Sequence, residues 1–196
     1  MILPLKHAPA TGHGSPQPAV EDVFLVQGCL TGSQRAEMEL YRRYFPLVRG
    51  VCARYTERAD QIDDLVNRSF LRGFRALKQY DSRGSLGAWL RRIAVNVCID
   101  ELRRSKALKH RRPKTDPVEH TIPVSPAALE QLALADLIAL IQQLPTLPRT
   151  VFNLYAVEGL SHAEVAKRLK LSEANSRYFF RRSRLLLQSL LQNQNY

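Results

Sequence analysis

Residues 61–107 read QIDDLVNRSFLRGFRALKQYDSRGSLGAWLRRIAVNVCIDELRRSKA, and their hydrophobic pattern decides the fold. Apolar side chains recur every three or four positions in two runs: Ile62, Val66, Phe70, Phe74 and Leu77, then Leu86, Trp89, Leu90, Ile93 and Val97. Such spacing places the apolar side chains of each run on one stripe of an α-helix. The stretch therefore predicts two amphipathic helices joined by the short polar loop Asp81–Ser85, with Trp89 in the core.

The same periodicity extends upstream of this stretch. From Ser33 to Tyr55 the apolar positions again follow helical steps: Met38, Tyr41, Tyr44, Phe45, Val48, Val51, Cys52 and Tyr55. Residues 1–20 are rich in proline, glycine and histidine and have little to bury, which is typical of a disordered tail. Since no segment shows the alternating pattern of a strand, the sequence predicts an all-α fold.

A change of composition divides the chain into two parts. Residues 105–127 contain four prolines and hardly any large apolar side chains, which favours an extended, mobile segment. Helical periodicity resumes from Leu129 to Leu191. We therefore expect two small helical domains joined by a flexible linker: a tail at 1–20, a first domain at 21–107, a linker at 108–128 and a second domain at 129–196.

The charge of the chain indicates a polyanionic partner. The 29 Lys and Arg residues outnumber the 18 Asp and Glu residues, which gives a formal net charge of +11 at pH 7. An excess of this size favours nucleic acid or an anionic membrane surface. No apolar run reaches the ~20 residues needed to cross a bilayer, and the N-terminus lacks the features of a signal peptide. We expect no membrane insertion and a cytoplasmic location.

The sequence offers no pattern for a metal site, a cofactor or catalysis. Cys29, Cys52 and Cys98 stand far apart without a CxxC motif or paired histidines, so we expect them to be small core residues. Clustered carboxylates with metal-ligand spacing, a glycine-rich phosphate loop and a nucleophile beside a histidine are all missing from the sequence. We therefore expect no metal, no cofactor and no enzymatic activity.

Residues 160–187, LSHAEVAKRLKLSEANSRYFFRRSRLLL, have the pattern of two short helices joined by a tight turn. Ser161 and Glu164 fit a capping box at the start of the first helix, and Ser172 can cap the second. In a helix-turn-helix the second helix enters the major groove of DNA by its N-terminal end. Candidate DNA-binding residues at this end, several of which can bond base edges, are Ser172, Glu173, Asn175, Arg177, Tyr178, Arg181 and Arg182.

Two positions depart from the usual helix-turn-helix pattern. Lys170 stands in the turn where glycine is common, and it would be strained by a positive φ. Ser176 stands where a buried valine or isoleucine is common. Phe179 and Phe180 are expected to pack rather than to read bases. The alternative interpretation of this segment is an ordinary amphipathic helix with a solvated basic face.

Two segments carry a resemblance to a known family. DLV at 64–66, followed by Phe70 and Phe74, a short loop, WLRRIAVN at 89–96 and DELRR at 100–104, resembles region 2 of the sigma-70 family in its extracytoplasmic-function (ECF) class. LPTLPRTVFNLYAVEGLSHAEVAKRLKLS at 144–172 resembles region 4 of the same class. The resemblance implies an initiation factor that binds core RNA polymerase, with region 2 reading the −10 promoter element and region 4 reading the −35 element.

The resemblance also implies roles for individual residues. The face of the 61–80 helix that docks on the polymerase clamp in the family carries Asp64, Asn67, Arg68 and Arg72. The −10 reader is the loop and helix that carry Ser82, Arg83, Ser85, Arg92, Asn96 and Arg103. The family commonly has DLVQE where this chain has DLVNR, so the docking contacts of Asn67 and Arg68 differ. The implied partners are core RNA polymerase, at its clamp and flap regions, promoter DNA and an anti-sigma factor.

Three functions remain to be distinguished. The first is a sigma factor, a specificity subunit without catalysis of its own. The second is a helix-turn-helix regulator that binds DNA alone and carries a helical sensing domain. The third is a nucleic-acid enzyme, which the missing catalytic patterns argue against. The run RRSKALKHRRPK at 103–114 contains seven Lys or Arg residues and no acid; it suits contact with DNA phosphates or serves only to keep the linker extended.

Overall fold

In the computed structural model the described residues are 20–82, 84–105 and 134–194, and every regular element in these ranges is helical. The α-helices are α1 (Val20–Leu30), α2 (Gln34–Ala53), α3 (Ala59–Ala76), α4 (Leu86–Arg104), α5 (Leu134–Gln142), α6 (Thr146–Phe152), α7 (His162–Leu169) and α8 (Glu173–Gln194). The all-α prediction is confirmed. The predicted tail, except Val20, and the predicted linker lie outside the described residues.

Helices α1 to α4 form the first half of the molecule. Helix α2 packs against α1, α3 and α4, and α3 packs against α4. The α3–α4 contact is close at Gly73, where a Cβ would stand only 3.1 Å from Leu90 Cδ2. Serine hydroxyls cap two of these helices: Ser33 accepts from the Ala36 amide and Ser85 from the Ala88 amide. Helix starts therefore follow from the local sequence.

The apolar stripes of the sequence form most of this core. Val48, Val51, Cys52 and Tyr55 are buried in α2 or just after it, and Ile62, Val66, Phe70 and Leu77 are buried along α3 and the 3-10 turn that follows. Trp89 is half-buried, packs against the core and lies 5.5 Å from Tyr80 between ring centroids. One stripe position was wrong: Met38 is 48% exposed, and Leu40 is buried in its place.

Helices α5 to α8 form the second half. Helix α8 packs against α5, α6 and α7, and a π-helical turn, Asn153–Val157, follows α6. The predicted capping box is present at the start of α7, where Ser161 Oγ accepts from the Glu164 amide and the Glu164 carboxylate accepts from the Ser161 amide. Phe179 is buried and Phe180 packs against the core, as expected.

The two halves lie in direct contact. One hydrophobic cluster contains Leu86 and Val97 of the first half together with Val151, Leu154 and Val165 of the second. Cys52 and Cys98 are buried within the same cluster, and Cys29 is half-buried against it, which confirms the core role expected of the cysteines. The two-domain prediction is confirmed, but the sequence did not predict that the domains would pack on each other.

Candidate functional site

The polar face of α3 carries the first group of predicted binding residues. Asp64, Asn67 and Arg72 are exposed, and Arg68 is half-buried. Their spacing by three or four positions places them along one side of the helix. The structure therefore brings all four together on a single surface of the first half.

Arg68 is the residue that departs from the usual acidic charge, and it is held between two carboxylates. Its Nη1 lies 3.1 Å from Asp64 Oδ2 on α3 and 2.6 Å from Glu101 Oε2 on α4. Arg72 makes a second link to α4, at 3.0 Å from Asp100 Oδ2. The positive charges on this face are thus neutralised in place, and both arginines tie α3 to α4.

Sequence reasoning missed an exposed apolar residue on the same face. Leu71 is 51% exposed and lies four residues after Asn67 and three after Arg68. Leu71 falls outside the apolar stripe that begins at Ile62. A large apolar side chain outside the buried stripe of a helix is the sequence feature that could have identified it as exposed. A single exposed apolar side chain is ordinary on a protein surface, so Leu71 is of interest only because it lies among the predicted docking residues.

The loop before α4 is held in a defined conformation. Tyr80 Oη donates a hydrogen bond to Gly84 O at 2.5 Å, and Ser82 has a left-handed backbone with φ of 57°. A non-glycine residue in this region is strained, and such strain is concentrated at functional sites. Ser85 uses its hydroxyl oxygen to cap α4. Arg83, predicted as a reading residue, lies outside the described residues.

The exposed face of α4 carries the other predicted −10 residues. Arg92 and Asn96 are exposed, and Arg103 is half-buried. Two of them contact the second half: Asn96 Oδ1 accepts from Arg168 Nη1 at 3.4 Å, and Arg103 Nη2 donates to Arg168 O. The face is therefore partly covered by α7. Of the basic run at 103–114, only positions 103–105 belong to the described residues.

The start of α8 presents the predicted helix-turn-helix residues. Ser172 Oγ accepts from the Asn175 amide at 3.1 Å, which confirms the predicted cap. Within the helix, Arg177 pairs with Glu173, and Arg182 Nη1 donates to Tyr178 Oη at 3.4 Å. Ser172, Glu173, Arg177 and Arg181 are exposed, whereas Asn175, Tyr178 and Arg182 are half-buried. All seven residues thus occupy the first three turns or the cap.

The two unusual positions of this motif have structural partners. Lys170 follows α7 as its C-cap in the left-handed conformation, with φ of 55° and ψ of 45°. This is the positive φ that would strain a residue in the place of glycine. Ser176 is fully buried, and its hydroxyl lies 3.0 Å from His162 Nδ1. The His162 ring stacks on Tyr155 with centroids 4.1 Å apart. A hydrogen bond to His162 therefore satisfies a hydroxyl that sits where an aliphatic side chain is common.

The environment of His162 favours its neutral form. The pKa of His162 is lowered from its usual 6.5, first by burial and then by the nearby positive charge of Arg177, while Glu173 acts in the opposite direction. A neutral ring can stack on Tyr155 and share a hydrogen bond with Ser176 without the cost of desolvating a charge. The ring therefore links α7, α8 and the π-helical turn.

A charge cluster between the two halves was not predicted from the sequence. Glu158, directly after the π-helical turn, pairs with Arg54 at the end of α2 at 2.9 Å and with Arg91 of α4 at 2.9 Å. The side chains of Glu158 and Arg54 are only 12% and 14% exposed. Arg91 also donates to Val157 O at 3.1 Å. One carboxylate thus joins two elements of the first half to the second.

Backbone carbonyls at the end of α2 accept further bonds from the second half. Gln142 Nε2 donates to Ala53 O at 2.8 Å, Asn153 Nδ2 to Arg54 O at 2.8 Å and Arg149 Nη1 to Tyr55 O at 3.4 Å. These carbonyls lie at the last residue of α2 and at the two residues after it, where the chain has no further helical turn to supply donors. The second half therefore caps α2.

The described ranges contain neither a membrane-spanning helix nor a cluster of metal ligands. None of the helices there is both long and apolar enough to cross a membrane. Among the same residues, no group of three or more His, Cys, Asp or Glu side chains is placed to hold a metal ion.

Two family models match the chain, one in each half. The model of sigma-70 region 2 matches residues 40–108, and the model of sigma-70 region 4 matches residues 134–187. The first covers most of α2 with α3 and α4, and the second covers α5 to α7 and most of α8. The charged face of α3, the face of α4 and the start of α8 all fall within these matches.

Known proteins are similar along most of the chain. The ECF RNA polymerase sigma factor SigM of Mycobacterium tuberculosis is 26% identical over 191 residues, which cover 97% of this chain and 94% of that protein. The ECF RNA polymerase sigma-E factor of Salmonella typhimurium is 30% identical over 159 residues, which cover 74% of this chain and 81% of that protein. A solved structure of CnrH in complex with the cytosolic domain of CnrY is 28% identical, with a TM-score of 0.47, and covers 88% of this chain and 98% of that chain.

Proposed function

The chain belongs to the sigma-70 family, in its extracytoplasmic-function class, and directs promoter-specific initiation of transcription; we propose that the three surfaces described above divide this work. The observation that carries the conclusion is the order of the two matches, region 2 and then region 4, along one chain. Family membership decides between an initiation factor and a helix-turn-helix regulator that acts alone.

The face of α3 binds the clamp of core RNA polymerase. Asp64, Asn67 and Arg72 are exposed there, and Leu71 adds an apolar side chain at the centre of the face. Interfaces of this kind join an apolar centre to a polar rim. Arg68 forms ion pairs with Asp64 and Glu101. Its positive charge therefore changes the polar contacts around Leu71 and leaves the apolar contact of Leu71 itself in place.

The loop 81–85 and the face of α4 read the −10 element. Asn96 offers an amide that can bond a base edge, and Arg92 and Arg103 can neutralise phosphates. The hydrogen bond from Tyr80 to Gly84 O holds the loop, in which Ser82 has a left-handed backbone. A rigid polar loop suits a base that leaves the stack, because extrusion of a base costs a few kcal/mol and the pocket must recover that cost by its contacts.

The start of α8 reads the −35 element in duplex DNA. Ser172, Glu173, Asn175, Arg177, Tyr178, Arg181 and Arg182 lie at the end that enters the major groove in a helix-turn-helix. Four of these residues are exposed. Glu173 and Arg177 form an ion pair within the helix. When either residue contacts a base, this ion pair is replaced by a bond to DNA.

Membership of the family also implies where the chain works and with which further partner. Bond-forming chemistry belongs to the core polymerase, and the chain itself is not an enzyme. It works where the polymerase and the promoter are, in the cytoplasm. An anti-sigma factor is a further partner, because members of this family are commonly held inactive by one.

A pull-down with bacterial core RNA polymerase tests the proposed function. We expect the full chain to bind core polymerase stably and to bind DNA weakly by itself, with promoter binding that sharpens in the complex. Tight, specific binding to duplex DNA without any association with core polymerase would contradict the proposal.

A matched pair of variants locates the polymerase surface. Leu71→Asp places a charge at the centre of the α3 face and should weaken core binding by at least tenfold, which corresponds to about 1.4 kcal/mol. Met38→Asp is the control, because Met38 is exposed to a similar extent, 48% against 51%, on a different helix. Equal core binding by both variants would place the clamp contact elsewhere.

A further inference from the structure

Helix α1 carries a buried carboxylate that none of the three proposed surfaces uses. Asp22, in its first turn, is only 4% exposed, and among the residues that the structure describes no other carboxylate is so far removed from solvent. The helix precedes the segment that matches sigma-70 region 2, which begins at residue 40. A charge taken out of water is unfavourable unless it has close partners, so the role of Asp22 follows from the groups around it.

Arg43 of α2 is the cation beside Asp22, but it is shared with a neighbour. Arg43 Nη1 lies 3.4 Å from Asp22 Oδ1, while its Nη2 lies 2.8 Å from Glu21 Oε2. The longer of the two contacts thus goes to the buried carboxylate. Replacement of a buried ion pair by apolar side chains is often neutral or stabilising, so stability alone does not account for a buried Asp22.

Tyr44 of α2 is the second partner, and it connects Asp22 to α4. Burial, and after it a hydrogen bond with Asp22, raise the pKa of the Tyr44 hydroxyl, so the hydroxyl stays neutral and donates to the carboxylate. The Tyr44 ring lies against Gly87, in the first turn of α4, where a Cβ would stand only 3.2 Å from Tyr44 Cε1. The carboxylate of α1 therefore fixes a ring that lies against the start of α4.

Asp22 also lies close to the base of the proposed −10 loop. Helix α1 packs against the 3-10 turn Leu77–Gln79, which leads into Tyr80. Burial raises the pKa of Tyr80, and the charges of Asp22 and Asp81 act in the same direction. Tyr80 holds the loop through its hydrogen bond to Gly84 O. Asp22 is therefore near both the start of α4 and the residue that fixes the loop.

We propose that Asp22 is a positioning residue for recognition of the −10 element, an inference that rests on the proposed function. Through Tyr44 it fixes the start of α4, and beside Tyr80 it sets the base of the loop 81–85. A satisfied buried polar network specifies a single arrangement of the elements that it joins. The loop and the face of α4 are thereby held in one geometry for the DNA strand, and Asp22 itself touches no base.

A double-mutant cycle on the full chain, in complex with core polymerase, tests this role. Asp22→Leu and Tyr44→Phe each remove the hydrogen bond from one end and keep a side chain of similar size. The probe is a fluorescent single strand with the −10 element that the wild-type complex selects from randomised DNA. Each variant should bind this probe about tenfold more weakly. The double variant should bind it no more weakly than either, because both changes act on one bond.

Three further measurements separate positioning from a purely structural role. Affinities for core polymerase and for duplex −35 DNA should stay at the wild-type values. The urea midpoint of the double variant should stay at or above that of the wild type, because both polar partners of one bond are replaced by apolar groups. Acrylamide quenching of Trp89, whose ring centroid lies 5.5 Å from that of Tyr80, should change in all three variants, because the base of the loop is released.

Glu21→Leu is the matched control. Glu21 is the neighbouring residue on α1 and pairs with the same arginine, Arg43, but its side chain is 75% exposed. This variant should keep the −10 affinity and the Trp89 quenching of the wild type. An unchanged −10 affinity in Asp22 and Tyr44 variants that keep their helical circular dichroism would overturn the inference. So would a loss seen only where the urea midpoint falls, or an equal loss in Glu21→Leu.

The two proposals fail in different ways. If the wild-type chain does not bind core polymerase, the proposed function fails, and Trp89 quenching alone decides whether Asp22 sets the loop. If the wild-type complex binds the −10 probe and the variants bind it equally well, the role of Asp22 fails and the proposed function stands.

Discussion

Helices α4 and α8 are both long and basic, with 19 and 22 residues, yet the side chains proposed to read DNA are held in different ways. In α4, Asn96 and Arg103 take partners from the other half of the molecule, at Arg168. In α8, Arg177 pairs with Glu173 and Arg182 with Tyr178, all on the same helix. The proposed −10 surface depends on the arrangement of the halves, and the proposed −35 surface is assembled within one helix.

This difference distinguishes two kinds of surface. The contacts of the proposed −35 surface lie within α8, because the paired residues are four positions apart along one helix. The contacts of the proposed −10 surface on α4 include Arg168 of α7, in the other half. The geometry of the proposed −10 surface therefore depends on how the halves pack, and that of the proposed −35 surface depends on α8 alone.

The largest effect is expected in a test of whether the two halves unfold together. Leu154 is fully buried in the second half and belongs to the cluster that both halves share. Leu154→Ala should lower the free energy of unfolding by about 2–5 kcal/mol, because a buried cavity is left. Trp89 lies in the first half and is the single tryptophan of the chain. Its fluorescence in a urea titration should shift together with the circular dichroism signal.

Leu86→Ala is the matched control for that experiment, since Leu86 is equally buried in the first half. Both variants should show one transition with both probes if the two packed halves unfold as a unit. A Trp89 transition that stays at the wild-type midpoint in Leu154→Ala would show that the halves unfold separately.

The next test concerns the local assembly of α8. Arg182→Ala should weaken binding of the polymerase complex to duplex −35 DNA by about 1–3 kcal/mol if Arg182 pairs with a guanine. The same loss should appear in a Glu158→Gln background, because effects at independent sites add. Arg184→Ala is the control, since Arg184 is exposed on another side of α8. An unchanged affinity for Arg182→Ala would remove this residue from the reader.

The corresponding test of α4 uses Asn96→Ala. Loss of its amide should weaken binding of the polymerase complex to −10 DNA by about 1 kcal/mol, the usual contribution of a hydrogen bond. Binding to core polymerase should not weaken, and −35 affinity of the same variant serves as the internal control. Simultaneous loss of core binding would mean that Asn96 supports the fold and not the reading of DNA.

A smaller effect is expected at the turn that sets the direction of α8. Lys170 has a positive φ of 55°, and a non-glycine residue there is strained. Lys170→Gly should raise the free energy of unfolding by up to about 1 kcal/mol, after allowance for the greater freedom of glycine in the unfolded chain. Lys170→Ala loses the same charge but keeps the Cβ, so it should show no such gain. Equal stability of the two variants would argue against strain at this position.

The smallest effect is a pH dependence that belongs to the second half. Since the pKa of His162 in the folded chain is lowered from 6.5, the unfolded chain binds the proton more readily. The contribution of neutral His162 is therefore complete above pH 6.5 and is lost as the pH falls from 6.5 through the lower folded value. Urea unfolding at several pH values should show this loss in the wild type and a smaller one in His162→Gln. Identical pH profiles for the two proteins would contradict the assignment.

Much of the local structure could be predicted because its causes are local. The structure contains both predicted caps: the capping box of Ser161 and Glu164, and the bond from the Asn175 amide to Ser172. Each cap involves only three or four consecutive residues. The stripe along α3 follows from helical periodicity alone. Met38 shows the limit of that reasoning. Periodicity identifies the apolar side of α2, but it does not show how far along that side the neighbouring helices cover it, and Met38 is exposed.

The unusual residues were visible in the sequence, but their consequences were not. Ser176 and Lys170 were identified as departures, and the left-handed conformation of Lys170 follows from the shortness of the turn. The hydrogen bond between Ser176 and His162 required the structure, because the two residues are 14 positions apart on different helices. The strain at Ser82 likewise depends on how the loop meets α4.

The sequence by itself determined the helices, their caps, the basic helix-turn-helix and the resemblance to two sigma regions, because each depends on patterns within a few turns of chain. Only the tertiary structure decided that the two regions pack together through Glu158. Arg54 and Arg91 lie 104 and 67 positions from Glu158, and no periodicity or spacing relates charges across such distances. Their pairing is decided by how the helices pack in three dimensions, which local patterns in the sequence do not specify.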